Sequence, residues 1–160
     1  MDRLRGLLSF ALIAAGVLLG LRLVHVSLPV LFPDTRQGPI AVRDLDEARR
    51  RVGFGPIVPA YHPASLGAQP TSISVLLSPE PTIIVVWRQG DEYLSVTQRR
   101  GARPPHPPLA VPLTDVADST WWMAGSQNHL IVWRVGFWIE LATSLPARHL
   151  KRFADTLTQQ

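Results

Sequence analysis

The chain has 160 residues, enough for one domain or for one domain with an anchor. Charged residues make up only 18% of it, below the roughly 25% of typical soluble proteins. It contains no cysteine, which excludes a disulfide scaffold, a thiolate metal site, a cysteine nucleophile and a lipoprotein anchor. Setting aside Asp2, Arg3, Arg5 and Arg22 leaves 13 basic and 11 acidic side chains out of 16 and 12. This near balance lacks the clustered basic face of a nucleic-acid-binding domain, so we expect no nucleic acid partner.

The N-terminal segment is apolar enough to anchor the chain in a membrane. Residues 6–21 carry no charge, and apolar residues resume after Arg22. A helix over about residues 5–27 would be about 30 to 35 Å long, enough to cross the hydrocarbon core of a bilayer. The side chains that we expect to form this anchor are Leu7, Leu8, Phe10, Leu12, Val17, Leu18, Leu19 and Leu21.

The competing interpretation of this segment is a cleaved signal peptide, since charged residues precede a short apolar run. No small-x-small cleavage site follows the run, so we favour an uncleaved anchor. Arg3 and Arg5 predict a cytoplasmic N-terminus by the positive-inside rule. The expected location is therefore the cell membrane, crossed once, with the bulk of the chain outside the cytoplasm. The predicted division is an anchor over residues 1–32, a linker over 33–43 and a domain over 44–160.

The domain sequence begins with one short helix and continues with strands. Asp44 is a good N-cap with Glu47 three residues later, and Gly53 supplies a helix stop. The pattern then alternates with period two, and the apolar run from Ile83 to Trp87 is typical of a strand covered on both faces. Residues 100–112 hold five prolines and are predicted to form a loop. The predicted strands are 71–77, 82–88, 92–99, 119–123, 129–135 and 137–143.

A second helix is predicted at the C-terminal end of the domain. Leu150, Phe153, Ala154 and Leu157 follow the i, i+3, i+4, i+7 spacing of one helix face. The expected fold class is α+β: an N-terminal transmembrane helix, a short helix, an antiparallel sheet of about six strands, and a C-terminal helix packed on that sheet.

Several segments together resemble a known family of domains. The first helix reads D-x-x-E-A-R-R-R-V-G-F from Asp44, and P-I-V-P-A-Y-H-P follows it. A later apolar strand ends in Trp87, Trp133 lies near the end, and the last helix reads L-P-A-R-H-L-K-R-F-A-D-T-L. This order over residues 44–158 resembles the uncharacterised extracytoplasmic domain of unknown function numbered forty-three sixty-seven.

The resemblance implies an envelope-facing sensing or interaction module behind a single membrane helix, as in bacterial anti-sigma-factor-like and sporulation-associated proteins. It supplies no catalytic residues. The regulatory members of that family carry a cytoplasmic domain before the membrane helix, whereas here Met1 to Arg5 precede the predicted anchor. We therefore expect any signal to pass through another membrane protein.

No residue pattern in the chain indicates catalysis or a cofactor. No two histidines have the i, i+4 spacing of a metal pair, and no serine lies in a G-x-S-x-G elbow. Gly53-Phe54-Gly55 is followed by prolines rather than by a helix, so it does not fit a phosphate loop. We expect no enzyme activity, no metal and no cofactor. The five histidines are His25, His62, His106, His129 and His149.

Trp121 and Trp122 are the candidate partner-contact residues. They are adjacent on a predicted strand, so their side chains point to opposite faces of the sheet. One of them therefore lies on the side away from the core, unless both faces are covered. That tryptophan can contact a partner or the bilayer surface, or it can pack beneath the proline-rich loop.

These observations leave three hypotheses about function. The first is a non-enzymatic interaction or sensing module, anchored in the membrane and acting outside the cytoplasm through a protein partner. The second is an accessory structural subunit of a larger membrane complex, since small residues in the anchor allow close helix contact. The third is a carrier of lipid or another hydrophobic ligand. The expected partners are the lipid bilayer and another membrane or envelope protein.

Overall fold

A computed structural model describes residues 38–101, 105–113, 115–116, 118–134 and 136–159. This part of the chain folds into ten strands and two eight-residue helices. The strands are β1 (Ile40–Val42), β2 (Ile57–Pro59), β3 (Ser72–Leu76), β4 (Thr82–Gln89), β5 (Glu92–Arg100), β6 (Val111–Pro112), β7 (Ser119–Ala124), β8 (Gln127–Arg134), β9 (Phe137–Thr143) and β10 (Leu157–Gln159). The helices are α1 (Leu45–Val52) and α2 (Arg148–Asp155).

Eight of the strands form one antiparallel sheet in the order β1-β3-β4-β5-β9-β8-β7-β6. The other two, β2 and β10, pair with each other. Tight turns with left-handed glycines connect the long hairpins, at Gly90, Gly125 and Gly136. The edge strands are the three-residue β1 and the two-residue β6, and such short edges offer little backbone for pairing with another chain.

One face of the large sheet carries the hydrophobic core. Alternate side chains of each long strand are buried, as in Ile83, Val85 and Trp87 of β4. The next strands continue the same layer, because register places Val85 opposite Val96 and Val96 opposite Leu141. We call this side the covered face. Its other buried apolar side chains include Ile73, Val75, Leu94, Leu130, Val132 and Ile139.

Both helices pack on the covered face. The Asp44 carboxylate caps α1 by accepting a hydrogen bond from the Glu47 N–H at 2.7 Å, and Gly53 ends the helix with φ 78°. Ala48 is the buried residue of α1, and Leu150, Phe153 and Ala154 are those of α2. Burial of these apolar side chains against the sheet is the main stabilising term of the fold.

A buried glutamine joins the large sheet to the proline-rich segment that follows α1. Gln98 of β5 is 1% exposed. Its Oε1 accepts a hydrogen bond from the Ile57 N–H at 2.6 Å, and its Nε2 donates to the Gly55 carbonyl oxygen at 3.2 Å. These bonds satisfy backbone groups at the start of β2 that would otherwise be buried without partners.

The α+β fold class predicted from the sequence is wrong, because the described chain is mainly β. All six predicted strands are present, with bounds within two residues of those expected. The sheet is larger because β1 and β6, in the predicted linker and loop, add to its two edges. Leu157, expected on the last helix, instead begins β10 opposite Pro59.

Among the described residues, no helix is both long enough and apolar enough to cross a membrane. The anchor predicted over residues 5–27 lies outside the described residues, and so do the charges at Arg3 and Arg5.

Candidate functional site

The face of the large sheet opposite the core is the candidate functional surface. We call it the open face, because neither α1 nor α2 packs on it. Its thirteen central side chains are all half-buried, and seven of them are apolar. A sheet face turned toward water normally carries polar residues, so this composition is unusual. The open face consists of Ser74, Ile84, Val86, Ser95, Thr97, Arg99, Trp122, His129, Ile131, Trp133, Trp138, Glu140 and Ala142.

One end of the open face holds a polar and aromatic cluster. The rings of Trp122 and His129 stack with centroids 5.1 Å apart and an interplanar angle of 18°. His129 Nδ1 lies 3.2 Å from Glu140 Oε1 on the neighbouring strand. His129 Nε2 is buried and finds no hydrogen-bond partner within the described part of the chain. The carboxylate and the stacked indole therefore hold the imidazole in place.

The other end of the open face is an aromatic row. Register places Arg99, Trp138 and Trp133 side by side on β5, β9 and β8. The Arg99 guanidinium carbon lies 4.7 Å from the centroid of the Trp138 ring, which is a cation–π contact. Along β8, Trp133 is four positions after His129, so the two clusters lie about 13 Å apart.

A turn lies at one margin of the open face, and the proline-rich loop lies at the other. Thr82 is 1% exposed and donates a hydrogen bond to the Glu80 carbonyl oxygen at 2.8 Å. On the opposite side, Pro105, His106 and Pro107 lie near Thr120, and together with Asp118, Ile131 and Trp133 they line a cavity of about 420 Å³. The described part of the proline-rich loop therefore lies beside Ile131 and Trp133 of the open face.

The two candidate tryptophans lie on opposite faces of β7. Trp122 is on the open face beside His129. Trp121 packs against the core, and its Nε1 donates to Asn128 Oδ1 at 3.3 Å. The pair therefore separates into one residue on each face of the sheet, as the alternation of a strand requires.

A second group of titratable side chains lies on the covered side, near the hairpin between β4 and β5. The rings of His62 and Trp87 are 5.1 Å apart, and Tyr61 Oη lies 3.2 Å from His149 Nδ1. Burial lowers the pKa of His62 below its ordinary value of 6.5. Burial also lowers the pKa of His149, and the charges of Arg148 and Arg152 lower it further. Both imidazoles are therefore held toward the neutral form.

No group of three or more His, Cys, Asp or Glu within the described residues is arranged to hold a metal ion. His129 lies on the open face, whereas His62 and His149 lie on the covered side, and His25 falls outside the described residues; His106 is on the proline-rich loop.

The sequence signal for the open face is the continuous apolar run of β4. In the run from Ile83 to Trp87, Ile84 and Val86 point away from the core. Apolar residues at outward positions predicted a strand covered on both faces, whereas the helices cover one. Trp138 and Ile131 are further outward apolar positions that belong to the same surface.

Comparisons with protein-family models, with curated proteins and with solved structures find no match to this chain. The resemblance to the extracytoplasmic domain family therefore stays a prediction.

Proposed function

We propose that the chain is a non-enzymatic interaction or sensing module, anchored to the membrane, that binds a protein partner on its open face outside the cytoplasm. The observation that carries this proposal is the apolar composition of that face. Seven of its thirteen central side chains are apolar, although water-facing sheet positions are normally polar.

The apolar side chains of the open face need a second layer of protein to remove them from water. Ile84 and Val86 give β4 the continuous apolar pattern of a strand with protein on both sides. The helices supply that cover on one side only. A partner packed about 10 Å above the open face would remove these side chains from water, as the second layer of a β-sandwich does.

The residues of the open face also fit protein contact energetically. Tryptophan and arginine are enriched among the residues that dominate binding energy at protein interfaces. Trp122 already stacks on His129, and Trp138 already carries the Arg99 guanidinium on its ring. A neighbouring group therefore already lies against each of these rings. The remaining ring surface suits contact with protein side chains better than the stacking of a sugar ring.

The charges on the open face give the partner an orientation. Arg99 and Glu140 are on neighbouring strands two positions out of register, and His129 contacts the same carboxylate. A partner that contacts the apolar positions must also pair or solvate these groups, which selects one docking geometry over others. The membrane part of the proposal rests on the uncharged residues 6–21.

The test is a measurement of native mass after mild detergent extraction from the native host. Ile84→Lys introduces a charge at an apolar position of the open face, and Gln69→Lys introduces the same charge on an exposed loop as a matched control. We expect the wild-type chain and the Gln69 variant to run above the mass of the single chain. The Ile84 variant should run at the lower mass while keeping its thermal unfolding midpoint within a few degrees.

Two results would argue against the proposal. If all three proteins run as the single chain, the open face has no stable partner. If the Ile84 variant keeps the larger mass, the partner binds elsewhere. A fixed stoichiometry that survives dilution would identify the partner as a complex in which this chain is a permanent accessory subunit.

A further inference from the structure

The sheet edge at β6 exposes a second apolar surface, separate from the open face. Leu109 is 95% exposed, Val111 is 52% exposed and Met123 is 60% exposed. One more large apolar residue among those described is exposed. It is Leu77, which is 39% exposed and directly follows β3, on the side of the sheet far from β6. The most exposed apolar side chains are therefore concentrated at one edge.

Register shows that these side chains form one surface. Val111 of β6 is directly opposite Trp121 of β7, and Met123 follows Trp121 on the same face of the strand. Leu109 lies two residues before Val111, on a turn closed by the Ala110 N–H donating to the Pro107 carbonyl oxygen at 3.1 Å. We call Leu109, Val111, Trp121 and Met123 the apolar edge.

The two segments that form the apolar edge carry no formal charge, and the charged residues next to them in the sequence are Arg103, Asp115 and Asp118. Residues 104–113 and 119–128 contain no Asp, Glu, Lys or Arg, although such residues make up 18% of the whole chain. His106 is the one titratable side chain in these two segments. Insertion of this edge into the boundary layer of a bilayer would therefore require no charge to leave water.

We propose that the apolar edge rests in the interfacial layer of the bilayer that anchors the chain. The proposal depends on the membrane anchoring stated above. Trp121 suits this position because indole rings concentrate at the level of the lipid headgroups, and Leu109 suits it as an apolar tip. Trp121 is also held by its hydrogen bond to Asn128, so the edge is presented by a fixed strand rather than a loose loop.

Membrane anchoring makes a weak contact sufficient. A domain linked to the bilayer by a short segment meets it at an effective concentration on the order of millimolar, and a few exposed apolar side chains then need little affinity of their own. An edge whose own side chains carry no charge also enters a lipid interface without the cost of taking a charge out of water.

The absence of cysteine allows a direct test with single-cysteine variants of the full chain, each labelled with an environment-sensitive fluorophore. Leu109→Cys and Met123→Cys report on the apolar edge, and Leu77→Cys is the matched control. Leu12→Cys reports on the anchor. The labelled proteins are reconstituted into liposomes of neutral phospholipid, with quencher-bearing lipids that probe either the headgroup boundary or the acyl chains.

We expect the labels at 109 and 123 to be quenched by the headgroup-boundary lipids at least about twofold more than the label at 77. The label at 12 should be quenched most by the acyl-chain lipids. Labels at 109 and 123 that respond no more than the control, with the label at 12 still quenched, would overturn this inference and leave the anchor standing. Loss of quenching at 12 as well would refute the anchoring itself.

One further outcome separates lipid from protein contact. A blue-shifted emission at 109 without lipid quenching would mean that the apolar edge is covered by a second copy of the chain, which would also overturn the inference. Because Leu109 is almost fully exposed, its replacement leaves the core intact, and unfolding midpoints equal to wild type verify that.

Discussion

The two faces of the large sheet are built from the same strands but differ in what stabilises them. On β8, Leu130 is fully buried on the covered face, whereas the adjacent Ile131 is half-buried on the open face. The two helices and the proline-rich segment that follows α1 bury the apolar residues of the covered face. On the open face, the described part of the proline-rich loop lies beside Ile131 and Trp133, and neither helix covers the other apolar residues. An apolar face that folding does not require is evidence for binding.

The sharpest test of this contrast compares the two neighbouring residues of β8. Leu130→Ala leaves a cavity in a fully buried layer and should cost about 2 to 5 kcal/mol of unfolding free energy. Ile131→Ala should cost clearly less, because its side chain is only partly buried and lies outside the fully buried layer. Chemical denaturation of both variants measures the difference. Equal costs would mean that the open face is already part of a core.

The next largest effect is expected at the buried glutamine of the covered face. Gln98→Leu replaces the amide with an apolar side chain of similar size. It leaves the Ile57 N–H and the Gly55 carbonyl oxygen without partners. We expect a loss of about 2 to 3 kcal/mol in denaturant unfolding. Gln98→Glu keeps the acceptor and provides the control for the donor bond. A neutral Gln98→Leu would show that water replaces both bonds.

The pH dependence of stability should come from the covered side. Because burial lowers the pKa of His62, its neutral form is favoured in the folded state. The unfolded chain takes up the proton first as pH falls through about 6.5, so stability is complete above that pH and is lost below it. We expect the unfolding midpoint of the wild type to fall between pH 7 and 5.

His62→Gln should weaken this fall in the unfolding midpoint, and the contribution of His149 should remain, since burial lowers its pKa as well. Gln69→Asn, at an exposed loop position, changes no titratable group; it is the control and should leave the pH profile unchanged. A His62 variant with the wild-type pH profile would contradict the assigned cause.

The smallest effect on stability is expected for a conservative change on the open face. Ile84→Thr shortens an apolar side chain where β4 is half-buried, and it should cost less than about 1 kcal/mol. Thermal unfolding of the purified chain measures this. A cost comparable with that of Leu130→Ala would remove the distinction between the faces.

The sequence predicted the strands better than the fold class. The alternation from Phe137 to Thr143 gave β9 its observed bounds, because a seven-residue period-two pattern is strong. The short strands β2 and β6 have three and two residues, too few to show a period, and prolines within them favour a loop assignment. Leu157 fits the helix spacing, but its pairing with Pro59 is a long-range contact that local pattern cannot reveal.

The candidate surface was predictable in part. Adjacent tryptophans on a strand must lie on opposite faces, and in the structure Trp122 lies on the open face and Trp121 in the apolar edge. The contacts of Trp122 with His129, and of His129 with Glu140, depend on the register of β7, β8 and β9, which the sequence does not specify. The identity of a partner depends on a second surface that this chain does not contain.

The central claim is that the open face binds a protein. The most direct measurement places a photo-crosslinking amino acid at Ala142 on the open face or at the exposed Ala147 before α2, in the full chain in its native host. We predict one discrete crosslinked adduct to a protein from position 142 and none from position 147. No protein adduct from position 142, or the same adduct from both positions, would contradict the assignment of the open face as the binding surface.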